Sequence, residues 1–387
     1  MQNEIENNRR GFLKNTVTAA AGLLAASIPV TGFSAQAPAI LSRKASMPIA
    51  PRLRFSVIGL NHGHIYGMTD SLIRGGGELV SFYAVEPDLI ATFSKRFPNA
   101  KLARNEAEVL EDKSVQLVAS ASIPSDRAPL GIKVMQHGKD YVVDKPGITS
   151  LKQLAAVKKV QAQTKRIYSI VYSERLENKA TVKALEMVQQ GAIGKVVQTM
   201  GTGPHRANFN TRPEWFFDKK YFGGIICDIG SHQFDQFLAF TGSTKADIVS
   251  AQVGNINHPQ YPNFEDYGDA VITGNGGTGV VRVDWFTPDG LKTWGDGRLT
   301  VLGTEGYMEL RKYIDIDGRP GGSHLFVVDN KSTRYIDCKD VELPFSRQLI
   351  DDIINRTEIA MTQEHCFLAT ELTLKAQAQA KLLKLDK

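Results

Sequence analysis

Cysteine is scarce: Cys227, Cys338 and Cys366 are the three in 387 residues, an odd number and far apart in sequence. A disulfide framework is not expected from them, and no C-x-x-C pair offers a thiolate metal site. Nor is there a block of like charge. The formal net charge of +5 is spread thinly, without a basic run and without basic residues interleaved with aromatics, so nucleic acid is set aside as a partner. No internal repeat or low-complexity tract is visible. What remains is the composition of an ordinary globular protein, long enough for about two domains.

The first fifty residues read differently. Asn8-Arg9-Arg10-Gly11-Phe12-Leu13-Lys14 is a paired-arginine segment, residues 17–30 form a short apolar stretch of small side chains, and Ala35-Gln36-Ala37 offers a small-x-small cleavage site. The apolar stretch is too short and alanine-rich to cross a hydrocarbon core of about 30 Å comfortably. In order and spacing these residues resemble a twin-arginine export signal. The expectation is a signal over 1–37, a Pro- and Ser-containing tether over 38–51, and an exported, periplasmic protein. No cysteine follows the apolar stretch, so no lipid anchor and no stable membrane attachment are expected.

Beyond the tether, β-branched apolar runs alternate with helical patterns as in βαβ units. Strands are predicted over 52–58, 79–85, 115–120 and 141–143, with helices around 65–74, 89–97 and 130–137. The fold class is α/β: a Rossmann-type doubly wound parallel sheet over 52–149, then a second α/β domain over 150–387. In the second, helices at 151–164 and 178–190 lead into longer alternating strands at 269–273, 279–286 and 299–303, separated by Gly and Asn turns. These predict an open, mostly antiparallel sheet, followed by C-terminal helices at 345–355 and 366–384. Two domains leave one crevice, and small-molecule sites favour such crevices.

Three stretches carry chemistry. In Val57-Ile58-Gly59-Leu60-Asn61-His62-Gly63-His64 a strand ends at one glycine and a helix begins near His64, aiming backbone N–H groups at a pyrophosphate. Only Gly59 matches the G-x-G-x-x-G fingerprint. Asn61 stands at the second glycine and tolerates left-handed backbone better than other residues, while Gly63 lets phosphate approach. Glu86, at the end of the second strand, suits the adenosine ribose hydroxyls and repels a 2′-phosphate, favouring NAD over NADP; an exposed turn acid is the alternative. His62 and His64 are the residue type of a metal site. Two residues apart, however, they are expected to point to different sides, and with no third ligand nearby in sequence no metal is expected; they are read instead as contacting the cofactor phosphates or the substrate, or as filling the loop.

Lys145, in Asp144-Lys145-Pro146, ends a parallel strand, where strand ends face the ligand crevice. An ammonium there can stabilise the alkoxide that develops as hydride leaves; a surface lysine before a turn is the alternative. Asp228 and His232, four apart on a helix, predict an aspartate that orients an imidazole acting as general base on a hydroxyl proton; a mere surface pair is the alternative. Between these elements, His205, Arg206 and Trp215 interleave polar donors with aromatic faces, the pattern a sugar needs, and are candidate substrate contacts. A packed rim loop is the alternative for that segment.

Together, Gly59, Asp144-Lys145-Pro146 and Asp228-x-x-x-His232 resemble the glucose-fructose oxidoreductase / inositol dehydrogenase / MocA (Gfo/Idh/MocA) family, over essentially the whole chain from about residue 54. The resemblance implies that Lys145, Asp228 and His232 are catalytic, and that Ser122 and Pro124 line the nicotinamide ribose. It also implies a homo-oligomer built through the second domain's sheet. Three positions depart from the family pattern: Asp144 replaces glutamate, Arg127 replaces histidine, and the phosphate loop has lost two glycines. The function expected is oxidation of a secondary hydroxyl of a sugar or glycoside, at C3, by hydride transfer to tightly bound NAD. The alternative is a redox-neutral glycosidase that oxidises C3 transiently, eliminates the glycosidic substituent and reverses the oxidation. A catalytically silent sugar- or nucleotide-binding protein is the third reading, disfavoured by the presence of all three catalytic residue types.

Overall fold

In the computed structural model, residues 51–385 are described; the expected signal and all of the tether but Pro51 lie outside them. Six parallel strands form the first sheet: β1 (Leu53–Ile58), β2 (Gly77–Tyr83), β3 (Lys101–Leu102), β4 (Leu117–Ser120), β5 (Asp140–Asp144) and β6 (Tyr168–Val171), in the order β3-β2-β1-β4-β5-β6. Every residue of β4 and β5 is buried, as expected where helices cover both faces of a parallel sheet. The chain reverses direction across the sheet between β1 and β4, the topological switch point where α/β sheets open a ligand crevice. Helices His64–Arg74 and Pro124–Gln136 start just after these two strands.

The expected boundary at 149 falls inside this sheet. Helix Leu151–Thr164 packs on helix Pro124–Gln136, and β6 adds alongside β5 with Tyr141 opposite Tyr168 and Asp144 opposite Val171. The pattern change near 150 therefore marks one more βα crossover, not a new layer.

The second sheet has nine strands: β7 (Val196–Pro204), β8 (Ala246–Gly254), β9 (Tyr267–Gly274), β10 (Gly277–Asp284), β11 (Arg298–Gly303), β12 (Gly306–Arg311), β13 (His324–Asp329), β14 (Thr333–Asp337) and β15 (Lys381–Leu382), ordered β14-β13-β12-β11-β7-β10-β9-β8-β15. All neighbours are antiparallel except β7/β10 and β8/β15. Strand β15 replaces the end of the C-terminal helix, which runs Gln363–Gln379 and stops short of the expected 384. One face of the sheet buries Val281, Leu299, Val301, Met308, Leu310 and Val327 beneath helices Lys179–Gln189 and Ser231–Thr241. Each such side chain contributes about 1.5–3 kcal/mol of burial. Small residues let the second helix approach: a Cβ at Gly201 would sit 2.7 Å from Gln233 Cγ. The other face leaves Met200, Leu302 and Tyr307 exposed. Helix Gln363–Gln379 ties the two sheets together: it packs on β8 of the second, while on the side of the first Thr370 Oγ1 lies 3.0 Å from the Tyr172 hydroxyl and Glu371 2.8 Å from Lys158 Nζ. Among the described residues no helix is long and apolar enough to cross a membrane.

Candidate active site

The C-terminal ends of β1, β4 and β5 and the loops of the second sheet enclose a crevice of about 510 Å³. It is lined by Asn61, His62, Gly63, His64, Pro124 and Lys145 from the first sheet, and by His205, Arg206, Trp215, Asp228 and His232 from the second. Of the candidate residues, Gly59, Glu86 and Ser122 are not part of this lining. Gly59 is required twice over: its φ is +83°, and a Cβ there would meet Ser122 Cβ at 2.5 Å. Gly63 has φ −60° and open space on its Cβ side, so it leaves room for a ligand but is not conformationally obligatory.

Asn61 supports the loop in a way the sequence did not suggest. Among the described residues positive φ at non-glycine positions occurs at Lys165, Asn208 and Arg356, so left-handed tolerance is not what Asn61 supplies. Its side-chain amide instead donates to Glu86 Oε1 at 2.6 Å, tying the phosphate loop to the end of β2. The expectation that His62 and His64 diverge is also overturned. The loop turns between them so that both Nδ1 atoms reach one carboxylate, His62 at 3.1 Å from Asp144 Oδ2 and His64 at 2.9 Å from Oδ1. The third ligand type is thus Asp144, distant in sequence, with the donor atoms within 4.8 Å of one another. The same carboxylate already faces a permanent cation, since Arg127, fully buried, donates to Oδ2 from Nη2 at 3.1 Å. Against the cost of burial, His64, Arg127 and His62 hold the Asp144 carboxyl well below its ordinary range.

Arg127 has a second task. Its Nε donates to the Ser122 carbonyl at 2.7 Å and its Nη1 to the Lys145 carbonyl at 2.6 Å, fixing the turn that carries Lys145. The Lys145 ammonium, 4% exposed, donates to Asp228 Oδ1 at 2.7 Å. Burial would raise the Asp228 carboxyl, but Lys145 holds it below its usual value. Asp228 occupies one π-helical turn, Ile226–Gly230, immediately before helix Ser231–Thr241; such turns recur at functional sites. The wider turn breaks the simple four-residue spacing, so Asp228 positions Lys145 rather than His232.

His232 lines the same crevice but makes no hydrogen bond to Asp228. It is 2% exposed, its Nδ1 has no partner among the described residues, and burial pushes it down to about 4, with Glu174 the leading influence in the other direction. Glu174, on helix Ser173–Leu176 just after β6, went unnoticed in the sequence. Its Oε2 accepts from Lys312 Nζ, from Gln233 Nε2 at 3.0 Å and from Gln236 Nε2 at 3.3 Å. Burial opposes its charge, yet Lys312 and His232 hold it down to about 2. Its Oε1 is unpaired.

The substrate-side residues fare unequally. His205 donates from Nδ1 to the Gly203 carbonyl at 3.1 Å, packs on Trp285 and Trp294, and is pushed down to about 3, first by burial and then by Lys145. Trp215 is half-buried at the rim. The Arg206 guanidinium is largely committed to structure, donating from Nη2 to the carbonyls of Pro288 at 2.9 Å and Leu291 at 2.5 Å, so it pins a loop over the crevice instead of presenting that edge to a ligand. The sequence did carry one unused signal: the chain has three tryptophans, and Trp215, Trp285 and Trp294 all line this crevice.

A switch-point crevice with a glycine turn at the end of β1, an acid at the end of β2, and a paired lysine beside a buried neutral imidazole is that of an NAD-dependent oxidoreductase. Comparison with known proteins gives the family. A model described as "Oxidoreductase family, NAD-binding Rossmann fold" matches residues 53–172, and one described as "GFO/IDH/MocA C-terminal domain" matches residues 181–309. The chain belongs to the Gfo/Idh/MocA family. It is 45% identical to a solved protein from Erwinia carotovora atroseptica SCRI1043 that carries only a provisional oxidoreductase description, with 86% of this chain and all 100% of that one covered and a TM-score of 0.84. It is 26% identical over 253 residues, 63% of this chain and 70% of the relative, to scyllo-inositol 2-dehydrogenase (NAD(+)) of Bacillus subtilis strain 168. A solved levoglucosan dehydrogenase in complex with NADH and levoglucosan shares the fold at 15% identity and a TM-score of 0.71, covering 84% of this chain and 97% of that one.

Proposed function

We propose that the protein oxidises a secondary hydroxyl of a sugar or glycoside, at C3, using NAD that stays bound. The observation that carries the reading is the Lys145–Asp228 pair set beside a buried, uncharged His232 at the mouth of the dinucleotide crevice. NAD, when bound, supplies the acceptor for the hydride that leaves the carbinol carbon. Gly59, Asn61, His62, Gly63 and His64 would cradle its phosphates, with Ser122 and Pro124 beside its ribose. Glu86 would meet the adenosine ribose hydroxyls and disfavour a 2′-phosphate.

The remaining steps belong to side chains. Lys145, held by Asp228, donates a hydrogen bond to the reacting oxygen and stabilises charge developing there. His232, neutral at physiological pH, takes the hydroxyl proton. Glu174, kept ionised by Lys312, offsets the positive charge the imidazole then carries. His205, Trp215 and the neighbouring aromatic faces enclose the sugar ring.

The redox-neutral alternative gains support from His62. It lines the same crevice, is pushed down to about 4 by burial and by His64, and lies on Asp144, so a second neutral base stands near the first. Removal of a carbon-bound proton beside a transient ketone, followed by departure of the glycosidic oxygen, calls for one. Export through the twin-arginine route, for which residues 1–37 are the motive, requires the nucleotide to travel with the folded chain. A homo-oligomer would cover the exposed face that bears Met200, Leu302 and Tyr307. Denaturing the purified protein and identifying the released nucleotide, then screening glycosides for ketone and for free aglycone, tests the proposal. Protein that carries no NAD and forms neither product with added NAD would overturn it.

A further inference from the structure

Charges that line the crevice come with counter-charges, with one exception. Arg127 is met by Asp144 at 3.1 Å, Lys145 by Asp228 at 2.7 Å, and Glu174 by Lys312. Arg206 is held by main-chain carbonyls and faces Asp289 at 3.6 Å. Arg212 has no direct ion pair: among the described residues no carboxylate lies within 4.0 Å of it, and Asp228 acts on it only from farther away. Its one hydrogen bond runs from Nε to the Ala207 carbonyl at 2.8 Å. The guanidinium lies over the rings of Phe216 at 4.5 Å and Trp285 at 5.3 Å, which fixes its plane and leaves the edge carrying both Nη atoms without an acceptor. Beside it the Trp285 indole N–H is buried and also unpartnered. The Nη edge is open to the crevice that Arg212 and Trp285 both line, so a bound anion could supply the acceptor these donors lack.

We infer that the substrate carries an anionic substituent, a carboxylate or another oxyanion on the sugar, which seats on the Nη edge of Arg212 with the Trp285 N–H as a second donor. The stacked, planar fork suits two oxygens side by side, and Phe216 and Trp285 shield the pair from water. Arg212 lines the same crevice as Lys145 and Asp228, so an anion seated on it shares the cavity with the reacting hydroxyl. This inference rests on reading the crevice as a sugar site.

Binding and turnover test it separately. With the NAD-loaded, full-length protein, thermal stabilisation by D-glucuronate and by D-glucose 6-phosphate is compared with that by D-glucose; kcat/KM is then measured for an aryl glucuronide, an aryl glucoside 6-phosphate and an aryl glucoside. At least one anionic form should be favoured about 10- to 100-fold, the range of a charged hydrogen bond converted to a ratio, and the favoured one identifies the oxyanion. Raised ionic strength should shrink that ratio. In Arg212→Gln the ratio should collapse towards one, with Arg212→Lys intermediate, and unchanged far-UV dichroism showing that both variants fold. Turnover of neutral glycosides with no anionic preference, or a preference that survives Arg212→Gln, overturns the inference alone. Absence of binding and turnover for every sugar would instead overturn the proposed function.

Discussion

Replacing Lys312 by methionine isolates the buried charge pair behind the active site. Lys312 is 0% and Glu174 1% exposed, so truncation leaves a carboxylate in the interior with only amide donors. Breaking a buried ion pair from one side costs about 3–5 kcal/mol. Because Gln233 and Gln236 still donate to Oε2 at 3.0 and 3.3 Å, the lower end, about 3 kcal/mol, is expected for Lys312→Met. The loss has a pH signature. In the native protein Glu174 is held down to about 2, so its stabilising charge is present above the ordinary carboxyl value and is lost as pH falls through about 2. In the variant the strongest downward influence is gone and burial raises the carboxyl, so protonation favours the folded state. The stability gap between native and variant should therefore narrow on acidification from pH 8 to 5. Adding Glu174→Gln should recover part of the loss, giving non-additivity of at least about 1 kcal/mol in a double-mutant cycle. Urea unfolding followed by far-UV dichroism at several pH values measures all three quantities. A single-variant cost below about 1 kcal/mol, a gap that ignores pH, or strict additivity would refute the pairing as described.

Lys145→Ala should abolish turnover while leaving nucleotide binding within a few fold, read by fluorescence titration with NADH; surviving turnover would remove Lys145 from its proposed role. Gly59→Ala should weaken or abolish NAD binding, because its added Cβ meets Ser122 Cβ at 2.5 Å in a backbone conformation of φ +83°; isothermal titration reads the loss. His232 is pushed from 6.5 to about 4 by burial, so the stability linked to its neutral form is complete above pH 6.5 and is lost as pH falls towards about 4. That loss is on the order of 3 kcal/mol, and His232→Gln should flatten that limb of a stability-versus-pH curve.

Much of this was legible in the sequence because it depends on local pattern. The βα alternation, the lysine at the end of β5 and the acid at the end of β2 follow from periodicity and from chain direction at strand ends. The sheet boundary was misplaced because helix Leu151–Thr164 looks the same whether its successor strand joins the first sheet or begins a second. Partner choice among charged groups was the least legible. Asp228 and His232 sit at helical spacing, yet the π turn Ile226–Gly230 takes the carboxylate to Lys145, 83 positions away. Glu174 and Lys312, separated by 138 positions, belong to no motif; only the fold brings them together. The tryptophans were the exception, a rare residue type whose members all line one cavity.

The three departures from the family pattern turn out to be one structure. Shortening glutamate to Asp144 sets its oxygens 2.9 and 3.1 Å from His64 and His62, and against the cost of burial the Arg127 guanidinium, where the family places histidine, joins His64 in holding that carboxylate ionised. Arg127 also fixes the Lys145 turn through main-chain carbonyls, so the lysine proposed as catalytic and the loop after β1 share one anchor. Two glycines are missing from the loop, and side chains hold it instead: Asn61 to Glu86, the histidine pair to Asp144. A loop fixed in this way loses less conformational entropy when a ligand enters than a glycine-rich one that must be ordered. That difference acts in the direction required of an enzyme proposed to keep its nucleotide through repeated turnovers.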